Sequence, residues 1–169
     1  MTVETLHDKF VYHLEEMYYV ENRLLDVLDE IRTAVGNEEF AEALEKHRQQ
    51  TEIHVNRLES VFDKIGETPQ ERSCPTFDAL LEEREKFFEQ ATSDEDIRNL
   101  HDLGAVIKNE HLEIASYENL MMLARKLELS SEIRDALEDN LDDEQKTKKQ
   151  LKTMADDSTV RKIFARLTG

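Results

Sequence analysis

The stretch Phe10-Val11-Tyr12-His13-Leu14-Glu15-Glu16-Met17-Tyr18-Tyr19-Val20-Glu21-Asn22-Arg23-Leu24-Leu25-Asp26-Val27-Leu28-Asp29-Glu30-Ile31 decides how the rest of the chain is read. Phe10, Leu14, Met17, Leu24, Leu28 and Ile31 recur at steps of three and four, and Glu21 takes the one step between Met17 and Leu24. That period belongs to a helix burying one stripe, so the spacing predicts a long first helix over about 3–35. Gly36-Asn37 is a stop and a turn. A second helix is predicted over about 38–65, with the inner line Leu44, His47, Thr51, His54, Leu58, Val61 and Ile65, and Gly66 to end it. So short a loop between two long helices implies an antiparallel hairpin.

Downstream the pattern repeats after an interruption. Gly66 to Pro75 holds both prolines and one of the four glycines, and reads as a connector. A short amphipathic helix carrying Phe77, Leu80, Leu81, Phe87 and Phe88 follows. Ser93 is the expected cap of the next long helix, with Asp94, Glu95 and Asp96 suited to its first turn. That helix is predicted over about 94–127, with the inner line Leu103, Ile107, Glu110, Ile114, Tyr117, Met121 and Ala124. Ser130 or Ser131 caps a last long helix reaching about 155, with the inner line Ile133, Leu137, Leu141, Glu144, Lys148, Leu151 and Met154. Asp156-Asp157-Ser158 breaks it, and a short C-terminal helix carries Val160, Ile163, Phe164 and Leu167. The expected architecture is all-α: a four-helix bundle with a long crossover carrying a short helix. One domain spans 1–169, with the bundle core over about 3–155.

Composition narrows the function classes. The chain has 39 acidic and 22 basic residues, a net charge of −17. That leaves no cationic surplus to displace counterions from a phosphate backbone, so no nucleic-acid partner is expected. The charge suits an acidic cytosolic protein, or one adapted to a salt-rich (halophilic) cytosol where screening shortens self-repulsion. One cysteine excludes an internal disulfide and a cysteine-based zinc site. Met1-Thr2-Val3-Glu4 lacks the features of a signal peptide, and no window approaches about 18 uncharged apolar residues, so a cytoplasmic location with no membrane span is expected. There is no glycine-rich phosphate loop and no Gly-x-Ser-x-Gly elbow.

The informative residues are those that break the apolar lines. Glu21, His54, Glu110 and Glu144 each lie near the middle of a different long helix. Residues equidistant from a hairpin turn lie at one height, so the spacing brings these four to a common layer. A single glutamate on an inner line is usually a helix-edge residue reaching solvent, and a single core histidine is usually just hydrogen-bonded. Three carboxylates and an imidazole in one layer repel or lose solvation, which a divalent metal pair relieves. Carboxylates with neutral imidazole suit iron or manganese. Glu113, three after Glu110, is a candidate further ligand from the same face, whereas Glu52, two from His54, points nearly the opposite way on a regular helix and needs a neighbouring position or a helix distortion to join. His47 is a candidate supporting group and His111 an edge residue. Tyr117 reads as core with a hydrogen-bonded hydroxyl, Met121 and Met122 as core filler, and Cys74 as a free thiol. His7, His13 and His101 read as structural or solvated.

Four stretches also carry a family resemblance. They are Leu14 to Leu25, Thr51-Glu52-Ile53-His54-Val55-Asn56-Arg57-Leu58-Glu59, Asn109-Glu110-His111-Leu112-Glu113-Ile114-Ala115-Ser116-Tyr117, and Asp143-Glu144-Gln145-Lys146, with Gly66-Glu67-Thr68-Pro69 and Cys74 in the connector. In order and spacing the chain resembles the YciF-like family of ferritin-like proteins. The resemblance implies a ferritin-like bundle, often a homodimer, in proteins linked to stress responses. The wider superfamily holds a di-iron or di-manganese centre, with one Glu from each of two helices and a Glu-x-x-His from each of the other two. Carried over, Glu21 and Glu110 are the single glutamates, His54 one histidine and Glu144 a further glutamate. Thr51 precedes His54 by three and Thr147 follows Glu144 by three, so both Glu-x-x-His motifs are incomplete, and Glu52 and Glu113 are the candidates to compensate. The expectation is a bundle-core site for one or two iron or manganese ions, with O₂ or peroxide reduction coupled to iron oxidation. The alternative is a metal-free helical module that dimerises or binds a partner.

Overall fold

The computed structural model describes residues 2–91 and 94–156, and five helices run through them: α1 (Leu6–Ala34), α2 (Glu38–Ile65), α3 (Pro75–Gln90), α4 (Glu95–Lys126) and α5 (Ser131–Asp156). The expected C-terminal helix with Val160, Ile163, Phe164 and Leu167 lies outside the described residues. Each boundary has a local cause. Thr5 and Asp8 form a reciprocal capping box at the start of α1. Asn37 accepts from the Phe40 amide to start α2. Gly66, with φ 77°, ends α2 in the left-handed conformation. Pro75 stands in the first turn of α3, where its missing N–H costs nothing. The α4 cap is Asp94, which accepts from the amides of Asp96 and Ile97, in place of the expected Ser93, itself outside the described residues.

The four long helices close a ring in which α1 packs on α2, α2 on α5, α5 on α4 and α4 on α1. The connector after α2 folds back over α1. The Arg72 amide donates to the Glu15 carbonyl, its guanidinium holds the Glu15 carboxylate at 2.7 Å, and its charge lies over the Tyr12 ring. From there α3 runs parallel to α1 along the α1/α4 seam. The Tyr19 hydroxyl donates to Asp78, and further along Arg84 joins Glu30 of α1 to Asp102 of α4. The crossover therefore returns the chain to the end where α1 finished, and α4 starts with Glu95 against Gly36. This makes α2 and α4, which lie diagonally opposite, parallel to each other.

The core follows the inner lines closely. Phe10, Leu14, Met17, Leu24, Leu28 and Ile31 of α1 are buried, as are Leu44, Leu58 and Val61 of α2. Two lines are corrected at their edges. On α5 the buried stripe runs Ile133, Leu137, Asn140, Glu144, Thr147 and Leu151, so Leu141 and Lys148 move to the border. On α4 Val106 replaces Ile107 inside, and Met122 is exposed rather than core. No helix among the described residues is long and apolar enough to cross a membrane.

Two glycines separate backbone strain from helix propensity. Gly66 has a positive φ and open space where a Cβ would stand, and Gly104 lies inside α4 with equally open space. Gly66→Ala is expected to lower unfolding free energy by about 1–2 kcal/mol, because only the left-handed backbone opposes it. Gly104→Ala is expected to raise it by about 1 kcal/mol. Urea unfolding followed by circular dichroism reads both, and equal effects in the same direction would contradict the assignment.

Candidate metal centre

Glu21, His54, Glu110 and Glu144 occupy the inner stripes of α1, α2, α4 and α5 because each takes a step where a Leu or Ile would otherwise sit. The structure brings them together, completely buried, and adds Glu113 and His47. Two groups form. In one, ligand atoms of His47, Glu110, Glu113 and Glu144 lie within 4.8 Å of one another; in the other, those of Glu21, His54 and Glu144 do. Glu144 belongs to both, which makes it the joint of the cluster. Glu52 is not part of it. It is exposed on the outer face of α2 and pairs with Arg48 at 3.0 Å, because a residue two positions from His54 on a regular helix faces nearly the opposite way.

His54 directs Nδ1 inward, 2.8 Å from Glu144 and 3.3 Å from Glu21. Its Nε2 faces outward, 3.7 Å from Asp143, a carboxylate held by Arg57 at 3.0 Å and by Lys146 at 3.2 Å. His47 sets Nε2 3.4 Å from Glu110 and 3.7 Å from Glu144. A polar shell holds the remaining carboxylates. The Tyr117 hydroxyl donates to Glu21 and accepts from Asn140 Nδ2 at 2.9 Å, while Asn140 Oδ1 accepts from Arg57. Asn109 Nδ2 donates to Glu113 at 2.7 Å. These contacts fix the orientation of side chains most of whose inward atoms carry no hydrogen bond. Both carboxylate oxygens of Glu110 and Glu144, one each of Glu21 and Glu113, and both nitrogens of His47 and His54 are buried without a hydrogen-bond partner.

So many orphaned acceptors in one dry layer are costly unless protons or a cation neutralise them. The titration behaviour shows the strain. Burial, then the neighbouring Glu144, pushes the Glu110 carboxyl well above the carboxylate range, and the same two causes raise Glu113. Burial also raises Glu21, against the attraction of His54. For His54, burial opposes the charged form, but the carboxylates of Glu21 and Glu144 outweigh it and carry the imidazole up to about 10. Glu144 lies near 2: burial opposes its charge, but His47 and His54 outweigh that effect. Without metal, burial favours the neutral carboxyls of Glu110 and Glu113, while His54 and Glu144 favour each other's charged forms. The donor set, four carboxylates and two imidazoles with no thiolate, fits iron or manganese better than soft-metal chemistry.

Sequence reasoning left His47 as a supporting group and did not find Asn109, Asn140 or Thr147 as buried residues. A strict alternation of three and four steps from Leu137 would have reached Asn140 and Thr147. His47 stands two turns before His54 on the same stripe, so both imidazoles reach the layer from one helix. Tyr117 is core with a bonded hydroxyl, as expected; Cys74 is a half-buried free thiol, and His101 stacks on Phe87 with ring centroids 3.7 Å apart.

Comparison with known proteins agrees with this architecture. Residues 5–164 match the family described as "Domain of unknown function (DUF892)". Protein YciF of Escherichia coli (strain K12) is 30% identical over 128 residues, covering 75% of this chain and 76% of its own. The crystal structure of the E. coli stress protein YciF superposes with a TM-score of 0.83 at 27% identity, covering 90% of this chain and 96% of that one. YcfI from Rhodopseudomonas palustris superposes with a TM-score of 0.84 at 26% identity, covering 89% and 95%.

The protonation pattern sets a pH dependence for the metal-free protein. A carboxyl raised on folding, as in Glu110 and Glu113, contributes stability below its unfolded value near 4.5 and loses it as pH rises through the folded value. His54 contributes fully below 6.5 and loses its part as pH rises through about 10. Glu144 acts oppositely, and its contribution fades only as pH falls below 4.5 toward about 2. The thermal midpoint of chelator-treated protein is therefore expected to fall between about pH 6 and pH 10, and Glu113→Gln is expected to flatten the fall. Calorimetry across that range checks it; a midpoint that rises with pH contradicts the protonation pattern.

Proposed function

The chain belongs to the DUF892 family of YciF-like proteins, and on that premise we propose that it is a ferritin-like metal-binding protein with a two-ion iron or manganese centre. The observation that carries this reading is Glu144, which joins two groups of buried, hydrogen-bond-free ligand atoms. His47, Glu110 and Glu113 would hold one ion, Glu21 and His54 the other, and Glu144 would bridge them. Four glutamates and two histidines are also the complement of a ferritin-like centre with two single glutamates and two Glu-x-x-His pairs. Here the same six residues are distributed differently: the Glu110-x-x-Glu113 pair and the His47/His54 pair replace the two mixed motifs.

When bound, iron or manganese supplies one-electron redox chemistry, with iron oxidation coupled to reduction of O₂ or peroxide as the expected reaction in a stress role. The chain's own residues do the rest. The buried layer excludes water from the donors, and the Asp143 carboxylate, 3.7 Å from the outward Nε2 of His54, supplies a favourable charge on that side of the ring. Tyr117 holds Glu21, and Asn109 holds Glu113. Metal uptake displaces protons from the glutamates and from His54, so affinity rises with pH. The reading includes a homodimer in the cytoplasm.

A second reading has one observation in its favour. The His54–Glu144 pair at 2.8 Å neutralises part of the layer without metal, which suits a metal-free helical module that dimerises or binds a partner.

One series separates the two. Protein purified without chelators is expected to hold about two iron or manganese ions per chain, and its thermal midpoint to rise on loading. Glu144→Ala is expected to lose both ions, Glu110→Ala and Glu21→Ala to reduce the content, and Glu52→Ala to leave it unchanged. Elemental analysis reads all of these. A wild-type protein that takes up neither metal, or a Glu110→Ala variant with wild-type content, overturns the metal reading.

A further inference from the structure

The crossover helix roofs the α1/α4 seam thinly. Of its side chains only Phe77 is buried; Leu80 and Leu81 are half-buried. Beneath it lies a partly open pocket of about 30 Å³, lined by Leu24 and Leu28 of α1, Phe77 and Leu81 of α3, and Val106 and Asn109 of α4. A water molecule needs only about 10–15 Å³ of such room, so the cavity has space for a diatomic molecule. Its walls are apolar apart from Asn109 and Arg84, so water entering it finds few hydrogen-bond partners.

The position of the cavity matters more than its size. Leu24 is one turn from Glu21, and Val106 one turn from Glu110. The polar wall is the Asn109 amide, 5% exposed, which donates to Glu113 at 2.7 Å. One side chain therefore stands between the void and the carboxylate layer. At the other side Arg84 lines both this cavity and a wide depression of about 600 Å³ open between α3 and the ends of α1 and α4. Arg84 is pinned there by Asp102 at 2.6 Å and Glu30 at 2.9 Å.

We propose that the cavity under α3 is a binding site for dioxygen, filled from the Arg84 depression and delivering the gas to the carboxylate layer past Asn109. The delivery half of this inference rests on the metal reading above; the binding half does not. Dioxygen is the occupant the walls select. It has no hydrogen bonds to lose on leaving water, whereas peroxide carries two hydroxyl donors that this lining leaves mostly unpaired. Two methyl-sized atoms moved out of water are favoured about tenfold in local concentration.

The test uses the full chain, chelator-treated, so that no redox chemistry intervenes. Under xenon pressure the methyl resonances of Leu24, Leu28 and Val106 are expected to shift saturably. Under dioxygen pressure the same methyls are expected to relax faster, by about tenfold in local gas concentration, than equally buried methyls of Leu58 and Leu137 on other parts of the core. Ala105→Leu, which grows a side chain into the void, is expected to abolish both effects while metal uptake and the circular dichroism spectrum stay as in wild type. Uniform relaxation across all buried methyls, or no saturable xenon shift in wild type, overturns the proposal without recourse to a variant. Gas binding in a protein that takes up no iron or manganese keeps the binding half and overturns delivery, so the two readings fail separately.

Discussion

Four glutamates and two histidines withdrawn from water into one layer of a helical bundle are the constraint on which the rest of the structure depends. Carboxylates in such a place must share protons, pair with an imidazole, or meet a cation. The bundle is built so that none escapes to the surface. Each stands in the middle of a helix of 26 to 32 residues, more than two turns from either end. Apolar layers close the cluster on both sides, with Leu14 and Met17 on one side of Glu21 and Leu24 and Leu28 on the other. Buried carboxylates held this close together oppose one another's ionisation, which weakens the metal-free bundle.

Support for the layer comes from a second set of polar side chains, which explains several buried groups that otherwise look out of place. Asn140 is buried on α5 because it donates to Tyr117 and accepts from Arg57. Asn109 is buried on α4 because it holds Glu113. Arg57 and Lys146 keep Asp143 beside the outer nitrogen of His54. Removing one of these supports leaves the ligand atom in place but frees its orientation, whereas removing a carboxylate of the layer changes its charge. By laying α3 over the α1/α4 seam the crossover leaves a small, mostly apolar pocket beside Asn109.

How much of this was legible follows from the physics of each element. Helix positions were readable from periodicity because a buried stripe must repeat at 3.6 residues, and the connector from both prolines and a glycine. The convergence of Glu21, His54, Glu110 and Glu144 was readable because hairpins place residues equidistant from a turn at one height. Glu113 was readable as a neighbour one turn away. Glu52 lies where its step of two from His54 puts it on a regular helix, turned away from the layer and paired with Arg48. On α5 a step of four from Leu137 leads to Leu141 and a step of four from Glu144 to Lys148, whereas the rotation of the helix places Asn140 and Thr147 inside. A buried Asn becomes intelligible only once its partners are known.

The helices, their order, the crossover and the layer in which the ionisable residues meet are written in the chain, since local propensity and a stripe of period 3.6 need no knowledge of neighbours. The excess negative charge of the layer is written there too. That His47 joins the cluster, that Glu144 links two groups, and that Tyr117 and Asn109 hold Glu21 and Glu113 came only with the packed fold. Those facts depend on the rotation of each helix about its own axis and on distances between helices. Packing of the whole core sets both, and no single helix encodes either.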